Sequence, residues 1–172
     1  MAGKPNIVLI GMCGVGKSTV GVLLAKELAM DFVDTDLLIQ SAERRSLQEI
    51  LDDKGIEIFC RLEQDYILAL NTENTIIATG GSVVYSDKAM QHLSVSGLVV
   101  HLDLDFESVE KRVVNLYSRG VVMHRNETLK SLYEKRLPLY RKYAQVTIDC
   151  AAKTQQEIVT QIIDSVSGLL DK

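Results

Sequence analysis

Residues 11–18 combine glycines, a lysine and a serine at the spacing of a phosphate-binding loop. They read Gly-Met-Cys-Gly-Val-Gly-Lys-Ser, a full match to the pattern G-x-x-x-x-G-K-[ST]. In such a loop the backbone N–H groups and the start of the following helix face phosphate oxygens. Lys17 is expected to reach the β- and γ-phosphates, and the Ser18 hydroxyl to ligate Mg²⁺. The predicted nucleotide-binding residues here are Gly11, Met12, Cys13, Gly14, Val15, Gly16, Lys17, Ser18 and Thr19.

The neighbours of this loop have the periodicities that it requires. Residues 7–10 form a short apolar run, as a buried strand does, and residues 17–29 carry apolar side chains at helical spacing. The alternative, a glycine-rich turn with a helix-capping serine, would leave the preceding strand unexplained. Cys13 has two interpretations: a thiol activated by the helix N-terminus, or a small side chain that fills space.

Five strand candidates define the fold class. They lie at residues 7–10, 32–33, 75–78, 98–102 and 146–148, with helical patterns between them. This alternation predicts a single domain over residues 1–172 with a three-layer α/β/α architecture and a five-stranded parallel sheet. The phosphate loop between the first strand and helix makes this the P-loop NTPase fold. Residues 117–127 follow neither period and are predicted to form a mobile lid.

Helix-boundary signals refine this prediction. Ser46 opens a capping box, and Gly55 should end the short helix that follows. Asp105 should cap a helix over residues 106–116, and Thr128 one that continues to residue 143. Pro138 lies within that last helix, where a proline favours a kink. Such a kink would direct Arg136 inward.

Charge and cysteine content restrict the partners. The net charge is −4, yet residues 111–142 hold nine Lys/Arg against two acids. A basic segment can bind nucleic acid, but no nucleic-acid-binding motif is present, and an anionic nucleotide explains the arginines more simply. Three widely spaced cysteines, no signal-peptide region and no long apolar run predict a cytoplasmic protein without a membrane partner, and we expect a monomer.

Two carboxylates follow the second predicted strand. Asp34-Thr35-Asp36 is predicted to end that strand, so that the side chains of Asp34 and Asp36 face the same side at the carboxyl edge of the sheet. One carboxylate near the metal and one beside the attacking hydroxyl are what phosphoryl transfer requires. The alternative is that an aspartate caps the next helix, which would explain Asp36 alone and leave Asp34 unexplained.

The motifs together resemble those of the shikimate kinases, small cytosolic enzymes of the nucleoside-monophosphate-kinase-like fold. The resemblance covers essentially the whole chain. It rests on the phosphate loop, Asp34-x-Asp36, the helix with Phe59 and Glu63, the glycines Gly80 and Gly81, the lid arginine Arg119 and Arg136-x-Pro-x-Tyr140. It implies an ATP-dependent kinase that converts shikimate to shikimate 3-phosphate in aromatic amino acid biosynthesis, with Mg²⁺ as cofactor. It also implies that helices at about residues 37–70 bind the substrate.

The resemblance also implies a role for each matching position. Lys17 would stabilise the transferred phosphoryl group, Ser18 and Asp34 would hold Mg²⁺, the latter through water, and Asp36 would orient or deprotonate the acceptor hydroxyl. Three arginines would bind anions or the base: Arg119 from the lid, Arg112 beside the adenine, and Arg136 at the substrate carboxylate. The implied catalytic residues are Lys17, Asp36 and Arg119.

Three departures from the family pattern fall on the acceptor side. Cys60 occupies the position of an arginine that would grip the shikimate carboxylate, and Arg61 lies about 100° around the helix from it. Ser82 replaces the last of three glycines, and Gly120 replaces a lid proline. The candidate substrate residues are Asp36, Cys60, Arg61, Glu63, Gly80, Gly81, Ser82 and Arg136.

Three functions remain open on the sequence. The first is phosphorylation of shikimate, and the second is phosphorylation of another hydroxy acid or sugar acid by the same fold. The third is a nucleotide-binding regulatory protein without acceptor catalysis, against which the retained Asp36, Arg119 and Arg136 argue.

Overall fold

The computed structural model describes residues 5–113, 120–124 and 126–170. For residues 169 and 170 it describes the backbone alone. Five strands form one parallel sheet in the order β2-β3-β1-β4-β5. Their bounds are β1 Asn6–Ile10, β2 Asp31–Asp34, β3 Thr75–Ala78, β4 Gly97–Asp103 and β5 Val146–Asp149. The predicted five-stranded parallel sheet is therefore confirmed, with each predicted strand present and most of them a residue or two longer.

Seven helices connect and cover these strands within the described ranges. Their bounds are α1 Lys17–Leu28, α2 Thr35–Glu43, α3 Leu47–Leu68, α4 Asp87–Ser96, α5 Phe106–Arg112, α6 Leu129–Tyr143 and α7 Gln155–Leu170. The central strand β1 is buried at every residue, as a strand covered on both faces must be. The described helices contain none that is long and apolar enough to cross a membrane.

Several predicted boundaries are confirmed by the hydrogen bonds at the helix ends. Ser46 forms the capping box with Glu49, and Gly55 has φ 78° and ψ 168°, which interrupts the helical path of α3. Asp105 and Thr128 cap α5 and α6. The described part of α5 ends at Arg112, so the predicted continuation to residue 116 lies outside the described residues.

One local prediction about the second strand is wrong. β2 ends at Asp34, and Asp36 lies in the first turn of α2. Asp34 is the residue that caps this helix: its Oδ1 accepts hydrogen bonds from the backbone N–H groups of Asp36 and Leu37 at 3.0 and 3.1 Å. The two carboxylates therefore do not share a strand face, because the chain turns into a helix immediately after Asp34.

A second, smaller apolar cluster lies beside the main core. It joins α2 and α3 to the segment before α6 through the buried side chains of Ile39, Leu47, Ile50, Leu51, Phe59 and Val122. Val122 comes from the predicted lid, so this part of the lid packs on the two helices that were predicted to bind the substrate.

Candidate active site

The phosphate loop and the ends of β2 and β3 surround one open cleft of about 790 Å³. It lies at the carboxyl ends of the parallel strands, where open α/β sheets bind their ligands. The cleft is lined by Cys13, Gly14, Val15, Gly16, Lys17, Ser18, Thr19, Asp36, Phe59, Thr79, Gly80, Gly81, Ser82, Arg112, Gly120, Val121, Val122, Arg136, Lys153, Thr154, Gln155 and Ile158. Most of the predicted site residues are thus brought together.

Lys17 is buried at the base of the loop. Its ammonium donates hydrogen bonds to the backbone carbonyls of Gly11 and Met12 at 2.7 and 2.9 Å. Burial lowers the pKa of this lysine, while the carboxylates of Asp36 and Asp34 act in the opposite direction. Gly11 and Met12 therefore contact Lys17 rather than line the cleft.

Ser18 and Asp34 meet at the mouth of the loop. The Ser18 hydroxyl donates a hydrogen bond of 2.5 Å to Oδ2 of Asp34, whose other oxygen caps α2. A hydroxyl and a carboxylate at this distance are hard oxygen donors of the kind that Mg²⁺ prefers. The described part of the chain contains no group of three or more His, Cys, Asp or Glu placed to hold a metal ion, so these donors would need phosphate oxygens to complete a metal site.

Asp36 points into the cleft from the first turn of α2. Burial raises the pKa of its carboxyl to about 6, and Lys17 partly opposes this shift. Thr35, which the sequence prediction missed, is buried beside it and accepts a hydrogen bond of 3.1 Å from the N–H of Gly80 through Oγ1. This contact joins the start of α2 to the glycine loop after β3.

Arg136 is almost completely buried in the opposite wall. Its Nη2 donates to the carbonyl of Val122 at 2.8 Å, and its Nε donates to the hydroxyl of Tyr85 at 3.2 Å. Nη1 faces Gly81, where an added Cβ would lie 2.9 Å from it. α6 includes Pro138, as the sequence predicted, and directs this guanidinium inward.

Two tyrosines support this wall and were not assigned a role from the sequence. Tyr140 is fully buried and donates a hydrogen bond of 2.7 Å to the carbonyl of Gly81. Tyr85 lies beneath the guanidinium of Arg136, whose Cζ is 5.2 Å from the ring centroid. The Arg136-x-Pro-x-Tyr140 spacing was the available signal for Tyr140, whereas Tyr85 lies in a region without a motif.

The remaining predicted residues divide between two cavities. Arg112 lines the main cleft near the loop, with Nη1 3.4 Å from the carbonyl of Val15. Cys60 and Arg61 line a separate cavity of about 190 Å³ together with Glu63 and Ser82. Arg119 lies outside the described residues. Of the predicted lid, residues 117–127, residues 117–119 and 125 lie outside them.

These features define the class of protein. The site contains a phosphate loop between a strand and a helix, with the lysine of the loop motif at its base. A buried carboxylate lies beside this lysine, and an arginine faces them across the cleft. This is the site of a P-loop small-molecule kinase. The chain belongs to the shikimate kinase family, because the family model for shikimate kinase matches residues 13–167. The family's activity is ATP-dependent phosphorylation of shikimate.

Individual relatives agree with this assignment over nearly the full length. A shikimate kinase from Sulfurihydrogenibium sp. is 36% identical over 162 residues, 94% of this chain and 97% of the relative. Another from Thermodesulfovibrio yellowstonii is 37% identical over 95% of this chain and 96% of the relative. Among solved structures, shikimate kinase from Acinetobacter baumannii in complex with shikimate superposes with a TM-score of 0.90 at 28% identity, covering 98% of this chain and 96% of the other.

Proposed function

We propose that this protein transfers the γ-phosphoryl group of ATP to a hydroxyl of shikimate. The observation that carries the proposal is the convergence of Lys17, Asp36 and Arg136 on one cleft in a chain of this family. The Acinetobacter baumannii relative binds shikimate, and Arg136 supplies the buried cation that a carboxylate-bearing acceptor needs.

The cleft residues divide into a nucleotide side and an acceptor side. On the nucleotide side, the loop N–H groups and Lys17 bind the phosphates, and Arg112 lies beside the base. Ser18 and Asp34 would hold Mg²⁺, which when bound neutralises charge on the β- and γ-phosphate oxygens. On the acceptor side, Arg136 binds the carboxylate and Asp36 accepts a hydrogen bond from the hydroxyl that attacks.

The chemical step is an in-line displacement that these residues prepare. The acceptor oxygen forms a bond to the γ-phosphorus while the bond from that phosphorus to the bridging oxygen of ADP breaks. The proton of the acceptor hydroxyl passes to the Asp36 carboxylate, which the raised pKa makes a better base. Lys17, moved from the carbonyls of Gly11 and Met12 to phosphate, stabilises the negative charge on the transferred group.

Coupled ADP release over a panel of acceptors tests the proposal. The panel contains shikimate, quinate, gluconate and glycerate at millimolar concentration, with the phosphorylated product identified by mass. Shikimate should give the highest kcat/KM, and ADP release without acceptor should be slow. A protein that binds ATP normally but does not phosphorylate shikimate would contradict the proposal.

A second acceptor class is favoured by one observation. Cys60 cannot contribute a cation, so Arg136 is the one arginine on the acceptor side of the cleft among the residues that the structure describes. A hydroxy acid or sugar acid gripped by a single guanidinium is the alternative that the same panel detects. The three free cysteines and the use of ATP support action in the cytoplasm.

A further inference from the structure

The acceptor side contains a buried pair of side chains, Ser82 and Glu63, to which the reaction above assigns no task. The Ser82 hydroxyl donates a hydrogen bond of 2.7 Å to Oε2 of Glu63. Both residues are buried, at 5% and 2% exposure. The other oxygen, Oε1 of Glu63, is buried and makes no hydrogen bond within the described ranges. A buried carboxyl with one satisfied oxygen needs a specific reason to be there.

The orientation of this carboxyl brings its unpaired oxygen next to Asp36. Both carboxyl groups approach the Cα of Gly80: a Cβ added there would collide with Oε1 of Glu63 and would lie 2.7 Å from Oδ1 of Asp36. Gly80 lines the cleft, so Oε1 of Glu63 lies on the acceptor side, beside the group that receives the hydroxyl proton.

Glu63 has no cation on its own helix face to hold it in this orientation. Cys60, three residues earlier on α3, is its neighbour on that face, and burial raises the pKa of this thiol to about 11. The thiol is therefore neutral. The cavity of about 190 Å³ next to Cys60 and Glu63 offers space into which the carboxyl could turn away from Asp36.

We propose that Ser82 is a positioning residue of the acceptor site: its hydroxyl holds the Glu63 carboxyl beside Asp36, in place of a cation at position 60. The charged groups that act on Glu63 are Asp36 from α2, Arg136 from α6 and Lys17 from α1. Each acts through space, whereas Ser82 provides the hydrogen bond that fixes the plane of the carboxyl. The inference rests on the proposed function, since shikimate is the acceptor used to test it.

The first test replaces Ser82 and follows the two substrates separately. Ser82→Ala removes the hydroxyl, and the φ and ψ of Ser82, −87° and −12°, suit alanine. The KM for shikimate should rise about tenfold, the size of a lost hydrogen bond to a charged group, while the KM for ATP changes less than about twofold. Ser82→Gly should behave in the same way.

Ser86→Ala is the matched control. Ser86 lines the same small cavity and donates a hydrogen bond of 2.7 Å to Oε1 of Gln64, the residue next to Glu63. Its hydroxyl also caps α4. This variant should therefore lower the melting temperature without changing the KM for shikimate. An equal rise in that KM in Ser86→Ala would overturn the proposal, because packing alone would then explain the effect.

The second test asks whether a cation can take over the task of Ser82. In a Cys60→Arg background the guanidinium can reach Glu63 one helical turn away, so Ser82→Gly should raise the KM for shikimate by less than about threefold. If Ser82→Gly raised the KM for shikimate by the same factor in the wild-type and Cys60→Arg backgrounds, the proposal would be overturned, since Ser82 and position 60 would then act independently.

The third measurement does not depend on turnover. Carboxyl ¹³C NMR follows the ionisation of Glu63, whose pKa burial raises to about 7 and the Ser82 hydrogen bond lowers. Ser82→Ala should move this pKa upward, and Ser86→Ala should not. If wild-type protein fails to phosphorylate shikimate, the proposed function is overturned and the inference with it. If turnover is normal and neither KM nor the pKa of Glu63 responds to Ser82→Ala, the inference alone is overturned.

Discussion

Arg136 and Val122 connect the acceptor pocket to the predicted lid through a single hydrogen bond. Nη2 of Arg136 donates to the backbone carbonyl of Val122 at 2.8 Å, and the Val122 side chain is buried against α2 and α3. The guanidinium that would bind the substrate carboxylate therefore also holds a segment that lines the cleft. We therefore expect acceptor binding and lid position to be coupled through this side chain.

Arg136→Lys tests that coupling. A lysine keeps the charge but loses the planar fork that contacts Val122, Tyr85 and a carboxylate at once. We expect the KM for shikimate to rise about 10- to 100-fold, and amide hydrogen exchange in residues 120–124 to become faster. Arg141→Lys, at an exposed position of the same helix, is the control and should change neither quantity. Unchanged exchange in Arg136→Lys would refute the coupling.

The backbone at Gly120 has a conformation that suits glycine and excludes a proline at this position of the predicted lid. Its φ is +65°, which a proline cannot adopt, and an added Cβ would collide with Leu47 and lie 3.0–3.1 Å from the backbone of Leu47 and Gln48. Gly120→Ala should therefore weaken the docking of the lid on α3 and lower kcat about tenfold without a large change in the KM for ATP.

The control for this substitution is Gly168→Ala in α7. A Cβ there meets no atom within 4 Å, and alanine is the better helix former. It should leave kcat unchanged and raise the free energy of unfolding by about 0.5–1 kcal/mol. A Gly120→Ala enzyme with wild-type kcat would show that the close approach of Gly120 to Leu47 does not affect turnover.

The sequence predicts correctly those structural features in which a side chain or a glycine acts on residues close to it in the chain. The phosphate loop, the capping box at Ser46 and the break at Gly55 follow from short-range chemistry, and all are present. The prediction at Asp36 is wrong because the alternation of a strand ends at Asp34, the residue that caps α2. A polar residue at a strand end can serve as cap or ligand. Here one oxygen of Asp34 caps α2, and the other accepts a hydrogen bond from Ser18 at the place where we propose that Mg²⁺ binds.

Contacts between distant segments could not be predicted in this way. Ser82 bonds to Glu63 and Tyr140 to Gly81 across 19 and 59 residues of sequence. No local pattern indicates such pairs, because each is created by the packing of α3 or α6 against the loop after β3. The substitution at Ser82 was visible in the sequence, but its partner was not.

Lys17→Ala should abolish turnover and leave the fold intact. The ammonium contacts only the carbonyls of its own loop in the described structure, and its burial carries an energetic cost. We expect kcat to fall at least about 100-fold while the melting temperature stays the same or rises. Lys26→Ala, exposed on the same helix, should retain full activity. A Lys17→Ala enzyme with more than about a tenth of wild-type kcat would contradict the assigned role.

The pH dependence of turnover should report the ionisation of Asp36. Because this carboxylate accepts the hydroxyl proton, kcat/KM for shikimate should fall as the pH drops through about 6, the raised pKa of the group. An acidic limb centred near the ordinary value of 3.8 would contradict the raised pKa, and a limb that persists unchanged in Asp36→Glu would show that Asp36 is not the group that titrates.

The same shift predicts that Asp36→Asn stabilises the protein. In the folded state the pKa lies above its ordinary value, so ionisation costs folding free energy, and this cost grows as the pH rises from about 4 to 6. The variant should therefore have a free energy of unfolding about 1–3 kcal/mol above wild type at pH 7.5 and close to wild type at pH 4, with turnover lost. Denaturant unfolding at both pH values measures this. Asp31→Asn, exposed at the start of β2, should change neither stability nor turnover. An equal increase in the free energy of unfolding at the two pH values would mean that the stabilisation does not come from removing the ionised Asp36 carboxylate.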